Sequence, residues 1–181
     1  MLRNLSFTAF AAAALASSNV SAQGTSEKMG VSDALFAAAA ADGGMQEVIM
    51  SQIAMKKATD PELKKYSEHM IEAHTKVNNQ LKELAAKKGI ALPAITSAGH
   101  QFCAQSLLGL SGEEFDCAYS EAQLLGHKAT VAAFEAEAER GQDPEMKAWA
   151  AKTLPHLKEH TKEIKPIAMH YEKMKEEKMK K

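Results

Sequence analysis

The sequence predicts an all-α protein, a four-helix bundle made of two helical hairpins joined by a long connection. Three observations carry that reading. The stretch Asp60 to Lys76, DPELKKYSEHMIEAHTK, returns in variant form at Asp143 to Lys162 as DPEMKAWAAKTLPHLKEHTK. Both copies open Asp-Pro-Glu, place an aromatic at the same offset (Tyr66, Trp149) and close on His-Thr-Lys, as expected of one supersecondary unit used twice. Apolar residues recur at alternating spacings of three and four through four long segments, which is the period of an amphipathic helix. Val and Ile are scattered singly among Ala, Leu, Met, Lys and Glu, so no stretch reads as a strand.

The chain opens with Arg3, an Ala-rich apolar run from Leu5 to Ala16, and Val20-Ser21-Ala22 before Gln23. That pattern predicts a secretory signal over residues 1–22, with small residues at the cleavage positions. A membrane anchor needs about 20 apolar residues, and Ser17, Ser18 and Asn19 interrupt this run too early. Cleavage removes Arg3 from the 22 basic residues, leaving 159 residues with 21 basic against 23 acidic, a net charge of −2. Such a chain suits one domain with a real core, has no transmembrane span after cleavage, and offers nothing that attracts nucleic acid. The expected location is the periplasm.

Residues 23–32 read as a linker and 33–175 as the bundle. The first predicted helix covers 33–57, with Ser32 or Asp33 as its cap. It contains Gly43-Gly44, each costing about 1 kcal/mol relative to Ala, which predicts close packing against a neighbour. Asp60-Pro61 starts the second helix, because Asp caps well and Pro lacks only an amide that would be unpaired anyway. Gly89 and Pro93 end it near Lys88. The connection from Ile90 to Leu110 has room for a short helix over Ser97–Leu108. Ser111-Gly112-Glu113-Glu114 has the form of a capping box and opens the third long helix, which runs to Arg140 with Gly141 as its C-cap. The fourth runs from Asp143-Pro144 towards Lys175, with bends expected at Pro155 and Pro166. Residues 176–181 form a charged tail whose mixed signs read as a solvated helix end.

The helical period then separates the histidines. In the second helix the apolar stripe is Leu63, Tyr66, Met70, His74, Val77, Leu81, Leu84; in the third it is Leu124, His127, Val131, Phe134, Ala138; in the fourth it includes Trp149, Thr153, Leu157, His160, Ile164. Three helices thus direct one histidine each at the core. In the first helix Glu47 lies 13 residues before Asp60, and His127 lies 16 before Asp143, while His74 and His160 follow those hairpin starts by 14 and 17. Glu47 therefore corresponds to His127 as His74 corresponds to His160. Imidazole and carboxylate are ligands for zinc, manganese, iron or copper, and a bundle can aim one side chain inward from each helix.

The expectation is one divalent transition-metal ion on Glu47, His74, His127 and His160, with His156 as a secondary ligand. Because ligating imidazoles must be neutral, binding is expected to weaken as pH falls through about 6.5. Asp42 and Gln46 form a rival polar pair on the first helix, as partners for the histidines. His69, His100 and His170 fall off the stripes and read as solvated. The competing reading is a non-catalytic envelope or stress-related bundle acting through partners, its core histidines hydrogen-bonded and structural. The only cysteines, Cys103 and Cys117, are expected to pair in an oxidising compartment, closing a loop of about 15 residues worth up to about 3 kcal/mol.

AAAADGGMQEVIMSQIAMKKA, YSEHMIEAHTKVNNQLKELAAKKGIALP, LSGEEFDCAYSEAQLLGHKATVAAFEAEA and LPHLKEH follow one another along nearly the whole mature chain. In these phrases the chain resembles the ferritin-like domain of unknown function 4142 family, secreted bacterial proteins often labelled outer-membrane proteins. The resemblance implies a ferritin-like four-helix bundle outside the cytoplasm and no particular activity. Ferritin-like di-iron sites use Glu-x-x-His pairs whose two side chains project inward one turn apart. No histidine here has Glu three residues before it, which argues against di-iron oxidase chemistry and for no catalytic residues. Gly-rich phosphate loops, Cys-x-x-Cys and nucleophile elbows are missing too.

Overall fold

A computed structural model describes residues 32–180, so the signal expected at 1–22 and most of the linker lie outside the described residues. Five helices follow in order: α1 (Asp33–Lys57), α2 (Pro61–Lys88), α3 (Ala98–Leu108), α4 (Gly112–Arg140) and α5 (Pro144–Met179). The four long helices form the bundle. The most extensive contacts lie within the hairpins α1–α2 and α4–α5, and α3 packs mainly on α1.

Local chemistry sets the hairpin starts. Asp60 accepts a hydrogen bond from the Glu62 amide, and Asp143 accepts from Glu145 and Met146, each followed by proline in the first turn. Ser32 caps α1, and Asp33 in its first turn accepts from the amides of Gln142 and Asp143, tying the two hairpins at that end. At the other end the buried Asp116 carboxylate of α4 accepts from the Thr59 and Asp60 amides and from the Thr59 hydroxyl. The α1–α2 turn is thereby fastened to α4. Gly89 closes α2 in the left-handed region at φ 65°.

Several sequence expectations change here. Ser111 makes no side-chain cap: Gly112 takes φ 57°, so the first turn of α4 leaves capping-box geometry. Helix α5 continues through Pro155 and Pro166 to Met179. Both prolines sit on its exposed face, where the carbonyls they leave unpaired meet solvent. Of the glycine pair, Gly44 meets the close-packing expectation, since a Cβ there would collide with the Asn78 side chain of α2, whereas Gly43 has room. The expected disulfide does not form: Cys103 and Cys117 are both free. Cys103 turns from α3 towards α1, its sulfur 3.9 Å from that of Met50. Cys117 lies in the groove between α4 and α5 beside Glu121 and Lys175. Although near in sequence, the two thiols lie at different interfaces.

The core is split in two along the bundle axis. One apolar cluster holds Met50, Leu63, Tyr66, Met70, Phe115, Tyr119 and Ile164; the other holds Phe36, Ala41, Leu81, Phe134, Met146 and Leu157. Along α1 Glu47 falls between Ala41 and Met50, along α2 His74 falls between Met70 and Leu81, along α4 His127 falls between Tyr119 and Phe134, and along α5 His160 falls between Leu157 and Ile164. A polar layer therefore crosses the middle of the bundle, walled on both sides by dry packing. None of the described helices is long and apolar enough to cross a membrane.

Candidate metal centre

Three of the predicted side chains meet in that layer. His74, His127 and His160 are each no more than 4 % exposed, and each offers a ring nitrogen within 4.8 Å of those of the others. Their ring centroids form an equilateral triangle, 5.4 Å on every side. The Nε2 atoms of His74 and His127 are 3.4 Å apart. With metal–nitrogen bonds of about 2.0–2.1 Å, tetrahedral or trigonal angles put ligand nitrogens about 3.3–3.6 Å apart, so this edge fits a single ion.

The protonation pattern follows from the neighbours. His127 Nδ1 lies 3.0 Å from the Gln123 carbonyl oxygen one turn earlier; a carbonyl only accepts, so Nδ1 carries the hydrogen and the Nε2 of the neutral ring is left with its lone pair towards His74. Burial pushes His127 down to about 4, with the bond to Gln123 opposing. His160 goes down to about 3 through burial and the neighbouring imidazoles His127, His69 and His156. His74 falls well below its usual value for the same reasons, burial first and the neighbouring imidazoles after it. Three neutral imidazoles are the form in which histidine ligates. The rings thus stay neutral well below pH 6.5, the value of the unperturbed residue.

Glu47 is buried in the same layer, on the other side of the His127 ring. Its Oε1 lies 3.7 Å from His127 Nδ1, the nitrogen turned away from His74. Gly126 leaves space for that carboxyl, since a Cβ there would lie 3.2 Å from Oε1. Burial raises Glu47 to about 8, with the Gln123 amide opposing, so at neutral pH it is a carboxylic acid beside a neutral imidazole. Several buried polar atoms around the centre have no hydrogen-bond partner among the described residues: Glu47 Oε2, Gln123 Nε2 and His160 Nδ1, with both amide atoms of Gln46 nearby. Buried polar groups are rarely left so, and Glu137, Arg140 and Trp149, away from this layer, carry further such atoms.

The other candidates are placed as follows. Asp42 turns outward to the Ser97 amide and to His100 Nδ1 at 3.1 Å, away from the triad. His156 is exposed, on the rim of a cleft whose inner residues include His74 and His160. His170 is exposed. His69 is exposed as expected, and its ring also stacks edge-on against His160 with centroids 5.1 Å apart. Sequence reasoning also passed over Gln123, whose carbonyl orients His127 and whose side-chain oxygen accepts from the Tyr66 hydroxyl at 3.3 Å. Its position four residues before His127 on one helix is the signal that identifies it.

Comparison with known proteins adds a family and a neighbour. A solved structure of CopM in the Cu(II)-bound form is similar to this chain with a TM-score of 0.66 at 19% sequence identity, covering 79% of this chain and 99% of that one. At that identity the likeness supports the helical fold alone. A search of curated proteins finds no match. The family profile described as "Domain of unknown function (DUF4142)" matches residues 18–167, most of the chain and all three histidines, and the protein therefore belongs to the DUF4142 family.

Proposed function

We propose that this protein is an exported, periplasmic metal-binding bundle that holds one divalent transition-metal ion, Cu(II) first among them, on ring nitrogens of His74, His127 and His160, Nε2 in the first two. One observation carries the reading: three buried, neutral imidazoles from three helices converge in an equilateral cluster with no carboxylate among them. An all-imidazole set suits copper and zinc, and divalent affinities at such sites peak at copper. The neighbour solved with Cu(II) bound supports the same choice, and the signal pattern at residues 1–22 supports export. Glu47 serves as the partner of His127 rather than as the fourth ligand, since it faces the far nitrogen of that ring. Binding and buffering of the ion is the activity this arrangement supports.

Competition titration of untagged, metal-free protein with Cu²⁺, Zn²⁺, Mn²⁺ and Fe²⁺ tests the proposal. The wild type should bind one Cu²⁺ per chain more tightly than about 10 μM, about −7 kcal/mol. His74→Ala, His127→Ala and His160→Ala should each abolish that binding. Variants that bind as well as the wild type would leave the triad a structural polar layer.

A further inference from the structure

The triad is closed on most sides. The two apolar clusters wall it along the bundle axis, and the cleft between α1 and α4 is lined by Glu47 but by none of the three histidines. A second cleft, of about 300 Å³ between α2 and α5, has His74 and His160 among its lining residues and His69 and His156 with them. His69 stands half in solvent, its side chain 49% exposed, while its ring touches that of His160 at 5.1 Å, nearer than the triad rings are to one another. His156 is exposed on α5 four residues before His160, hence on the same helix face one turn away. Imidazoles thus run without a break from the surface to the buried centre.

We propose that the metal ion reaches and leaves the triad through the α2–α5 cleft, taken up by His156 and His69 and passed from His69 to His160. This rests on the metal-binding reading and adds the route. A hydrated dication entering a buried site must exchange its waters for protein ligands stepwise, and a surface imidazole in contact with a buried one lets each exchange occur before the next. Field steering does not serve instead, because the cleft sets Glu72 against Lys76 and Lys152. Glu163, 3.3 Å from His69 Nδ1, holds that ring in place over the cleft.

The test is the rate of Cu²⁺ uptake by metal-free protein in stopped flow, followed by quenching of the single tryptophan, Trp149, and the rate of release into excess EDTA. His69→Ala should slow both uptake and release by about tenfold, the low end of the range that association rates span among variants of one site. The stoichiometry stays at one. His156→Ala should slow both as well, and His170→Ala, which removes an exposed imidazole elsewhere on α5, should match the wild type. Uptake at the wild-type rate in His69→Ala and His156→Ala overturns the route while leaving the triad intact. Faster release with unchanged uptake in His69→Ala also overturns it, by making His69 a resident ligand. A wild type that takes up no copper overturns the metal-binding reading and the route together.

Discussion

Glu47 and the histidines respond to pH in opposite directions, and replacing Glu47 separates the two responses in metal-free protein. The folded values of His127 and His160, about 4 and about 3, lie below the unfolded value of 6.5. Their contribution to stability is therefore whole above pH 6.5 and is lost as pH falls towards the folded values, because the unfolded chain takes up protons that the folded chain refuses. At pH 5.0 each ring has lost about 2 kcal/mol, from about 1.5 units at 1.36 kcal/mol per unit, and the pair about 4 kcal/mol. His74 adds to the loss in the same direction. Glu47 is raised from 4.5 to about 8, so its contribution is whole below 4.5 and is lost as pH rises through about 8. Going from pH 7.5 to 5.0 it returns about 3 kcal/mol. Glu47→Gln keeps the shape of the protonated acid and removes this titration. Urea unfolding in EDTA at the two pH values should show Glu47→Gln losing about 3 kcal/mol more than the wild type between pH 7.5 and 5.0. An equal or smaller loss in the variant would refute the assignment of a buried, protonated Glu47 beside neutral histidines.

Three further outcomes are expected, two from the fold and one from the signal pattern in the sequence. Asp116→Ala strips the buried acceptor from the Thr59 and Asp60 amides and should cost about 2–4 kcal/mol in urea unfolding, with Asp116→Asn intermediate. A loss below about 0.5 kcal/mol would mean that the α1–α2 turn is held otherwise. Two free thiols should titrate per chain in denaturant without reductant, and none would restore the Cys103–Cys117 pairing. Protein isolated from its native host should begin at Gln23 by intact mass, and retention of Met1 would remove the basis for a periplasmic location.

The bundle was legible because its punctuation is local. Asp60-Pro61 and Asp143-Pro144 start helices by capping and ring geometry that need no tertiary partner, and the three–four stripe set the core face of each helix. The same period aimed His74, His127 and His160 inward. It does not report where along a neighbouring ring a side chain arrives, so it set Glu47 at the right level without showing that it meets Nδ1 of His127 rather than the Nε2 side. His69 lay beyond its reach for a related reason: a residue on the flank of a stripe is solvated or in contact according to the neighbouring helix, and here α5 brings His160 against it. The cysteine pairing failed because the turn at Gly112 and the packing of α3 on α1 decide which interface each thiol joins. The lowering of all three rings was not legible either, because burial is a property of the packed layer and not of the period.

The central claim, one ion on three imidazoles, is tested most directly by anomalous diffraction from crystals of the untagged protein loaded with Cu²⁺. A single copper peak should lie among the ring nitrogens of His74, His127 and His160, with about 2.0 Å to each, and Glu47 should stay on the Nδ1 side of His127. A peak elsewhere on the chain, or no peak in crystals soaked at saturating copper, would contradict the account.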